Sequence, residues 1–312
     1  MYALAVGILR ARDSGRPHVL PARCLIGRSR ACDLVLAERD VSAEHAALAW
    51  SGDRWELQDL GSRNGTFLDG TRLPAGTRAP VAAGAELRFG RLSPGFVLVD
   101  TAAPQLMALR LDEPQVRIGE GGYLALPDTD DPQCCVFLAP DGTWLVEQRG
   151  ASSPLADRTV LALADGQPWR IHLPAACPST WNHDDAGLVV ANLRLRFAVS
   201  RDEEHVELRA IAGDRELDLQ ARAHHYLLLV LARRRVADAR AGLPDAAQGW
   251  IHHDELLGML RIDDGHLNLS IHRARSQLGR LDVADAATLV ERRQGTRELR
   301  LGVRYIEIVP LF

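Results

Sequence analysis

Short apolar runs with alternating polar positions fill the first hundred residues of the chain. Clusters of turn-forming residues separate these runs at residues 14–17, 51–53, 69–70 and 74–76. In one run Trp55 and Leu57 alternate with polar neighbours, as in a strand with one face in a core. Evenly spaced short strands of this kind predict an all-β sandwich for residues 1–100.

The same pattern recurs more faintly over residues 101–190. Its apolar runs align with those of the first hundred residues: 116–119 with 24–27, 124–126 with 34–36, and 142–144 with 53–55. The repeat predicts a second β-sandwich, although another β-rich fold would give a similar pattern.

After a polar, turn-rich segment at residues 174–185, predicted to be a linker, the pattern changes again. Three alternating runs between residues 193 and 219 predict three strands. Helical periodicity then appears over residues 221–235, 254–260 and 264–279, with a loop predicted at 236–249. Alternation returns at 289–292 and 299–301, which predicts a hairpin. The order of strands, helices and hairpin indicates an α+β domain over residues 191–312.

Composition restricts the class of protein. The chain has 312 residues, 46% of them hydrophobic and 25% charged, which is typical of a globular protein of about two or three domains. No apolar run approaches the roughly 18 residues of a membrane span, and the N-terminus lacks the pattern of a signal peptide. Five cysteines without a CxxC pair favour reduced thiols and a cytoplasmic location.

Three polar motifs lie in the predicted turns of the first sandwich. Gly27-Arg28 comes first, Ser42 and His45 follow with two residues between them, and residues 62–66 read Ser-Arg-Asn-Gly-Thr. An arginine presents a fixed fork of donors that matches a phosphate, and a serine hydroxyl adds a further donor. Asn followed by Gly suits a left-handed turn and offers an amide to a peptide backbone. The spacing indicates loops that converge on an anion.

Together these motifs resemble the forkhead-associated (FHA) domain. The resemblance covers residues 1–100 and implies an eleven-stranded β-sandwich that binds phosphothreonine peptides. It assigns Arg28 and Ser42 to the phosphate and Arg63 and Asn64 to the peptide. His45 would brace the loops from behind, with Gly27 and Gly65 in supporting turns.

On this comparison the region 101–190 is a degenerate FHA-like sandwich. Glu120 stands where Arg28 stands in the first sandwich, Pro132 replaces Ser42, and Cys135 replaces His45. A carboxylate at the first position repels a phosphate group of about −1.5 to −2 charges. We therefore expect a structural or interface role for this region.

The C-terminal region resembles the winged-helix DNA-binding domain of OmpR-type response regulators. The resemblance is carried by the segments HHDELLGML, HLNLSIHRARSQLG and LVERRQGTRELRLG. It implies that the third helix enters the major groove of duplex DNA and that the terminal hairpin, the wing, contacts the backbone or minor groove. The residues it assigns to DNA are Ser270, His272, Arg273 and Arg275 in the helix, and Arg293, Thr296 and Arg297 in the wing.

Local charge is consistent with this interpretation. Residues 265–304 contain eight arginines and four acidic residues, a balance of +4 in a chain whose net charge is −4. In the third helix, Leu267, Ile271, Ala274 and Leu278 form an apolar stripe that is expected to pack against the domain. His266, Ser270, Arg273 and Gln277 are expected to face outward, with His272, Arg275 and Arg280 at the flanks.

Two functions follow from the resemblances. The first is a phosphorylation-responsive transcriptional regulator that binds a phosphothreonine protein, either a Ser/Thr kinase or its substrate, together with duplex DNA. The second is a phosphopeptide-binding adaptor whose winged helix is a protein-protein or dimerisation module, so that a second copy of the chain becomes a candidate partner. An enzyme has little support, since no catalytic motif or metal-ligand spacing is present, and we expect no cofactor, metal or membrane partner.

Overall fold

The structure is a computed structural model. It describes residues 6–120, 122–139, 141–148, 150–164, 166–174, 188–281, 283, 285–293 and 295–311. The chain divides into two compact units: residues 1–109 with 171–179, and residues 110–170 with 180–312. The boundary predicted at residue 190 falls within the second unit. The predicted linker at 174–185 lies, apart from Pro174, outside the described residues.

The first unit contains the eleven strands that the FHA resemblance implies. They are β1 (Ile8–Ala11), β2 (Pro17–Val19), β3 (Arg23–Gly27), β4 (Leu34–Val35), β5 (Ala46–Trp50), β6 (Trp55–Asp59), β7 (Thr66–Leu68), β8 (Thr71–Arg72), β9 (Arg78–Val81), β10 (Glu86–Phe89) and β11 (Phe96–Asp100). One sheet has the order β2-β1-β11-β10-β7-β8 and the other β4-β3-β5-β6-β9.

Apolar side chains from both sheets form one core. Phe89 and Phe96 of the first sheet and Ile26, Leu48 and Trp55 of the second are all buried in it. Trp55 and Leu57 face inward, as their alternation predicted. Such burial stabilises a large apolar side chain by about 1.5–3 kcal/mol, so the core holds the strand ends, and the loops between them, in fixed positions.

Gly27 ends β3 where the chain passes very close to a neighbouring loop. A Cβ atom at this position would lie 2.3 Å from the carbonyl oxygen of Ala43. The backbone amides of Arg28 and Ser29 donate to the carbonyls of Ser42 and Ala43 at 2.9 and 3.0 Å. Only glycine allows this approach, which brings the two loops together.

A buried carboxylate closes the turn between β6 and β7. Asp59 accepts hydrogen bonds from the backbone amides of Gly61 and Ser62 and from the hydroxyls of Ser62 and Thr66. Burial by itself raises the pKa of a carboxyl, but these hydrogen bonds outweigh it and hold the pKa of Asp59 below its usual value. The ionised carboxylate therefore fixes the start of the loop that carries Arg63 and Asn64.

Eight strands between residues 107 and 172 form two further sheets. The strands are β12 (Met107–Arg110), β13 (Val116–Ile118), β14 (Tyr123–Leu126), β15 (Cys134–Leu138), β16 (Trp144–Gln148), β17 (Ala151–Pro154), β18 (Val160–Ala162) and β19 (Pro168–His172). One sheet has the order β13-β12-β19-β18, and the other is the meander β14-β15-β16-β17. Cys134 and Cys135 point to opposite faces of β15, as strand alternation requires.

The rest of the second unit begins with the three predicted strands: β20 (Arg194–Val199), β21 (Val206–Ala212) and β22 (Arg215–Ala221). The last strand of the chain, β26 (Tyr305–Pro310), was not predicted and pairs in parallel with β20. The sheet order is β22-β21-β20-β26. Ile306 and Ile308 of β26 pack against the core of this region, so the strand has the alternating apolar pattern that would have allowed it to be predicted.

Three helices follow: α1 (His225–Arg240), α2 (His253–Leu260) and α3 (Asp264–Gly279). The predicted bounds of α3 are confirmed, but those of α1 are wrong at both ends. The helix begins after the turn that follows β22, and it extends through residues 236–240, which were predicted to be a loop. The sequence Val-Ala-Asp-Ala-Arg continues it as ordinary helical residues, and the chain leaves the helix before Gly242, whose φ of 79° is in the left-handed region.

The predicted hairpin is present as β24 (Val290–Arg293) and β25 (Glu298–Leu301). A short strand before α2, β23 (Ile251–His252), pairs with β25 to give a three-stranded sheet. The stripe of α3 predicted to pack inward, Leu267, Ile271, Ala274 and Leu278, is buried in the same core as the hairpin residues Val290 and Leu299. The hairpin and α3 therefore belong to one packed region.

We expect Gly27→Ala to destabilise the first unit, because the added methyl group overlaps the Ala43 carbonyl. The cost of such overpacking is about 1–3 kcal/mol. Gly258→Ala is the control, since a Cβ atom at Gly258 meets no atom within 4 Å. Differential scanning calorimetry should show a lower melting temperature for the first unit only in Gly27→Ala. A Gly27→Ala protein that melts like the wild type would contradict the close approach of the two loops.

From the lowered pKa of Asp59 we predict how the stability of the first unit depends on pH. Because the folded-state pKa is below the unfolded one, the carboxylate stabilises the fold fully above its ordinary pKa, and this contribution is lost as the pH falls through the folded-state value. The melting-temperature gap between the wild type and Asp59→Asn should therefore narrow in acid. Asp53→Asn, in an exposed turn of the same unit, should give a gap that is small at every pH. A difference in melting temperature between the wild type and Asp59→Asn that does not change with pH would contradict an ionised Asp59 in the folded protein.

Candidate functional site

Arg28 and Ser42 lie side by side on two loops of the first unit. The Arg28 guanidinium is exposed and its Nε donates to the carbonyl of Val41 at 3.3 Å. Among the described residues, the two terminal nitrogens of Arg28 have no hydrogen-bond or ion-pair partner. The Ser42 hydroxyl accepts from the backbone amide of Arg63 at 3.2 Å, and its proton remains available to a ligand. The pair thus presents a cation and a hydroxyl donor to solvent.

His45 connects the Ser42 loop to the Asn64 loop from the buried side. Its ring is fully buried, and Nδ1 accepts from the backbone amide of Ser42 at 3.0 Å. Nε2 lies 3.1 Å from the carbonyl of Gly65 and donates to it in the tautomer that the first bond requires. The ring also meets Phe89 edge to face, 6.0 Å between centroids. This is the position behind the loops that the resemblance implied for His45.

Asn64 and Arg63 occupy the third loop. The Asn64 side-chain amide donates to the carbonyl of Asp40 at 2.6 Å, so it joins its own loop to the one that carries Ser42. Gly65 follows with a φ of +86°, where a Cβ atom would lie 2.4 Å from Nε of Arg72. The Arg63 side chain is exposed. The turn therefore leaves Arg63 at the rim while Asn64 lies partly within the loop network.

Asp40 is a residue of this network that sequence reasoning missed. Its carboxylate accepts from the backbone amides of Arg91 and Leu92 at 2.5 and 2.8 Å, which ties in the loop between β10 and β11. The only sequence signal is an acidic residue two positions before Ser42, which is a common pattern in exposed loops. With Asp40, four loops meet at one end of the sandwich.

The electrostatic character of this end is suited to a phosphate. Arg28 supplies a permanent cation, Ser42 a hydroxyl, and the network of Asp40, Asp59 and His45 holds the loops without occupying the free nitrogens of Arg28. Hydrogen bonds between an arginine and a phosphate are charge-assisted and about twice as strong as neutral ones. The site can bind and orient an anionic group, and it presents no nucleophile with an adjacent base.

The second predicted site, on α3, has a different environment. Arg273 is exposed, and among the described residues it has no hydrogen-bond or ion-pair partner. Ser270 is half-buried, while His272 and Arg275 are buried rather than at the exposed flanks where the helix pattern placed them. The prediction that Gln277 faces outward is also wrong. Its side-chain amide accepts hydrogen bonds from His224 and His225 and donates one to the carbonyl of Leu219.

The buried side chains of α3 contact the β14–β17 sheet. Both terminal nitrogens of Arg275 donate to Oε2 of Glu147, at 3.2 and 3.3 Å, and the Arg275 cation lies 5.1 Å from the Phe137 ring centroid. The His272 ring stacks on Tyr123 with centroids 5.3 Å apart. Burial, followed by the nearby charges of Arg275, Arg280 and Arg273, lowers the pKa of His272 to about 4, so its imidazole is neutral at neutral pH. In this arrangement neither residue can reach a DNA groove.

The predicted wing residues are at the hairpin tip, and each has an internal partner. Arg293 donates to Glu298 at 2.8 Å and lies over the Trp250 ring, 4.2 Å from its centroid. The Thr296 hydroxyl also donates to Glu298, at 2.8 Å. Arg297 is 3.5 Å from the Asp254 carboxylate and remains more than half exposed. Of the arginines assigned to DNA, the exposed ones are therefore Arg273 and, in part, Arg297.

Among the described residues no group of three or more His, Cys, Asp or Glu side chains is arranged to hold a metal ion. Within the same residues, every helix is too short or too polar to span a bilayer.

Comparison with known proteins agrees with the N-terminal geometry. Residues 24–90 match the FHA domain family. The "FHA domain-containing protein FhaB" of Mycobacterium tuberculosis (strain ATCC 25618 / H37Rv) is 40% identical over 67 residues, which is 22% of this chain and 42% of the relative. Human kanadaptin is 38% identical over 86 residues, 24% of this chain and 12% of that protein. The chain thus spans about two fifths of the length of FhaB.

Among solved structures, Mycobacterium tuberculosis EmbR in complex with a low-affinity phosphopeptide is similar to 32% of this chain, and the match covers 26% of EmbR. The sequence identity is 28% and the TM-score is 0.29. The family match, the eleven-stranded sandwich and the four converging loops agree on one conclusion: an FHA domain lies near the N-terminus of this chain.

Proposed function

We propose that the protein is a phosphorylation-responsive signalling protein whose FHA domain binds a phosphothreonine peptide. The observation that carries the proposal is the pair formed by Arg28, with its free terminal nitrogens, and the Ser42 hydroxyl, on loops braced by His45. A phosphothreonine brings a charge of about −1.5 to −2 and three acceptor oxygens to such a pair. Arg63 and Asn64, on the adjoining loop, are the proposed contacts to the peptide backbone.

The proposed partner is a phosphothreonine-containing protein, either a Ser/Thr kinase or its substrate. The site supports a peptide rather than a free anion because four loops, not one, surround Arg28 and offer an extended rim. FHA-type recognition by an arginine and neighbouring donors is a local electrostatic event, which then recruits or reorients the rest of the chain. We propose a cytoplasmic location for this encounter.

For the middle region we propose a degenerate FHA-like sandwich. Its support is the strand order. In the sheet β13-β12-β19-β18 the second, first, last and penultimate strands of the region lie side by side, and the strands β2-β1-β11-β10 of the first sandwich have the same order. Glu120 at the position equivalent to Arg28 argues against phosphate binding there. Contact between the β14–β17 sheet and α3 supports the structural or interface role that we propose for this region.

A second candidate function concerns the C-terminal region, which we propose binds duplex DNA through α3 and the hairpin. The order of three strands, three helices and a hairpin favours this function, as does the exposed Arg273 without an acidic partner among the described residues. The burial of His272 and Arg275 favours the alternative, an adaptor whose helices form a protein-protein or dimerisation module. Binding to DNA that weakens steeply with salt separates the two, because only DNA releases condensed counterions.

We expect Arg28→Ala to abolish measurable phosphopeptide binding and to leave the fold intact. The change removes charge-assisted hydrogen bonds worth at least about 3 kcal/mol, roughly a hundredfold in affinity. Arg23→Ala is the matched control, since Arg23 is an exposed arginine at the opposite end of the same strand, β3. The measurement is calorimetric titration with a phosphothreonine peptide and its unphosphorylated twin. Equal phosphopeptide affinity in Arg28→Ala and Arg23→Ala would refute the assigned site.

For the C-terminal region we expect Arg273→Ala to weaken binding to duplex DNA at low salt. A bidentate contact to a base is worth about 1–3 kcal/mol, and a phosphate contact would also reduce the salt slope. Arg215→Ala, an exposed arginine at the start of β22, is the control and should bind as the wild type does. Fluorescence titration at two salt concentrations gives both quantities. Unchanged DNA affinity and salt slope in Arg273→Ala would favour the adaptor function.

A further inference from the structure

One face of the β14–β17 sheet carries a set of side chains directed at α3. The strand register puts Tyr123 opposite Phe137 and Cys135 opposite Glu147, so all four side chains lie on the same face. Each of them is buried. The opposite face of the sheet contributes Leu124, Cys134, Val136 and Val146 to apolar packing, whereas the buried carboxylate and phenol lie on the side of α3.

A buried ion network joins this face to the C-terminal helices. Glu147 is 8% exposed and lies between two arginines: Arg275, at 3.2 Å, and Arg292, whose Nε is 2.8 Å from its other oxygen. Arg275 also donates to the carbonyl of Val290, and Arg292 to the side-chain oxygen of Asn268. Burial alone raises the pKa of a carboxyl, but the two guanidinium groups outweigh it and lower the pKa of Glu147, which stays ionised. One carboxylate therefore pairs with two arginines, one on α3 and one on the hairpin, and the trio keeps one net positive charge.

The aromatic contact lies next to this network. The Tyr123 hydroxyl is 3.1 Å from Nδ1 of His272, and the two rings are stacked. His272 and Arg275 are two of the four helix residues that the winged-helix resemblance assigns to the major groove. The β14–β17 sheet thus covers the part of α3 on which that assignment depends.

We propose that the β14–β17 sheet is a reversible cover that competes with duplex DNA for the face of α3 carrying His272 and Arg275. The proposal rests on the candidate DNA-binding function. Glu147 binds Arg275 and Arg292 with the oxygens of an anion, as a backbone phosphate would. In the closed form the carboxylate satisfies both arginines, and in the open form DNA does so. The cover links the middle region to the control of the C-terminal one.

The composition of the contact favours reversibility. Bringing three charged groups out of water carries a desolvation cost that offsets much of their attraction, so a buried ion network holds two regions together less firmly than an apolar interface of equal size. Beside the contact is a cavity of about 460 Å³, bounded by Thr129 and Asp130 of the middle region and by Arg222, Arg273 and Arg280. Water and ions can therefore approach one side of the covered face, and Arg273 stays available for a first encounter with DNA.

The test compares duplex DNA binding by the full-length wild type, Glu147→Gln and Glu120→Gln. Glu147→Gln leaves both buried arginines without their anion, which favours opening, whereas the exposed Glu120 lies 3.8 Å from the exposed Arg280 and adds little to the contact. Since apparent affinity rises in proportion to the open fraction, we expect Glu147→Gln to bind DNA at least about tenfold more tightly than the wild type. Glu120→Gln should bind as the wild type does.

Cys135 provides a second readout that does not depend on affinity. Its thiol lies beneath the cover, where burial, followed by the charge of Glu147, raises its pKa to about 12 and suppresses alkylation. Cys134, on the opposite face of the same strand, is the internal control. In the wild type, saturating duplex DNA should accelerate iodoacetamide labelling of Cys135 and leave that of Cys134 unchanged, as located by fragment-ion mass spectrometry. The Glu147 charge is constant in this comparison, so a faster reaction reports opening alone.

Each outcome is decisive. The proposal of a reversible cover would be overturned by measurable but equal DNA affinity in all three proteins. It would also be overturned if DNA bound without accelerating the labelling of Cys135. Absence of DNA binding in all three would show that the DNA-binding function itself is wrong, and the proposal would fall with it. Phosphopeptide affinity in each variant confirms that the first unit is folded. If Glu147→Gln does not fold, Tyr123→Phe, which removes only the hydroxyl beside His272, should shift both readouts in the same direction by a smaller factor.

Discussion

A buried imidazole is the interaction on which the phosphate-facing end of the protein depends. His45 accepts a hydrogen bond from Ser42 with one ring nitrogen and reaches the Gly65 carbonyl with the other, so a single side chain sets the spacing of two loops. Gly27 allows the third loop to approach, and Asp40 brings in the fourth. None of these groups occupies the terminal nitrogens of Arg28. The loops are held from behind, and the cation remains free in front.

In the second unit, by contrast, two arginines are buried and paired with a carboxylate. Arg275 and Arg292 are taken out of solvent and paired with Glu147, while Arg273, two residues before Arg275 on α3, is left exposed. The exposed and the buried arginines of this region thus have different roles. The buried pair orients the β14–β17 sheet against α3, and the exposed arginine can attract an anionic partner from outside.

The sequence predicted local structure well where the pattern itself carries the cause. Alternation located the strands of the sandwich, and the apolar stripe of Leu267, Ile271, Ala274 and Leu278 gave α3 its bounds. The loop motifs around Arg28, Ser42 and His45 were recognisable because each residue type is required by its chemistry. Such signals depend on neighbours within a few positions.

What the sequence could not predict depends on distant partners. Glu147 follows three apolar residues in β16 and precedes Gln148, and nothing nearby indicates that Arg275 will cover it. For the same reason His272 and Arg275 were expected to flank an exposed helix face. The extension of α1 to Arg240 was missed because Ala-rich helical residues lack a distinctive apolar period, and β26 was missed because its parallel partner lies more than a hundred residues away.

The claim that phosphothreonine is the signal this protein reads is tested most directly by one titration of the full-length chain. The same threonine peptide would be supplied phosphorylated and unphosphorylated, at two ionic strengths, with heat as the readout. We predict saturable binding of the phosphorylated peptide alone, weaker at the higher ionic strength because Arg28 is exposed. Equal affinity for the two peptides, or binding of neither, would contradict the account.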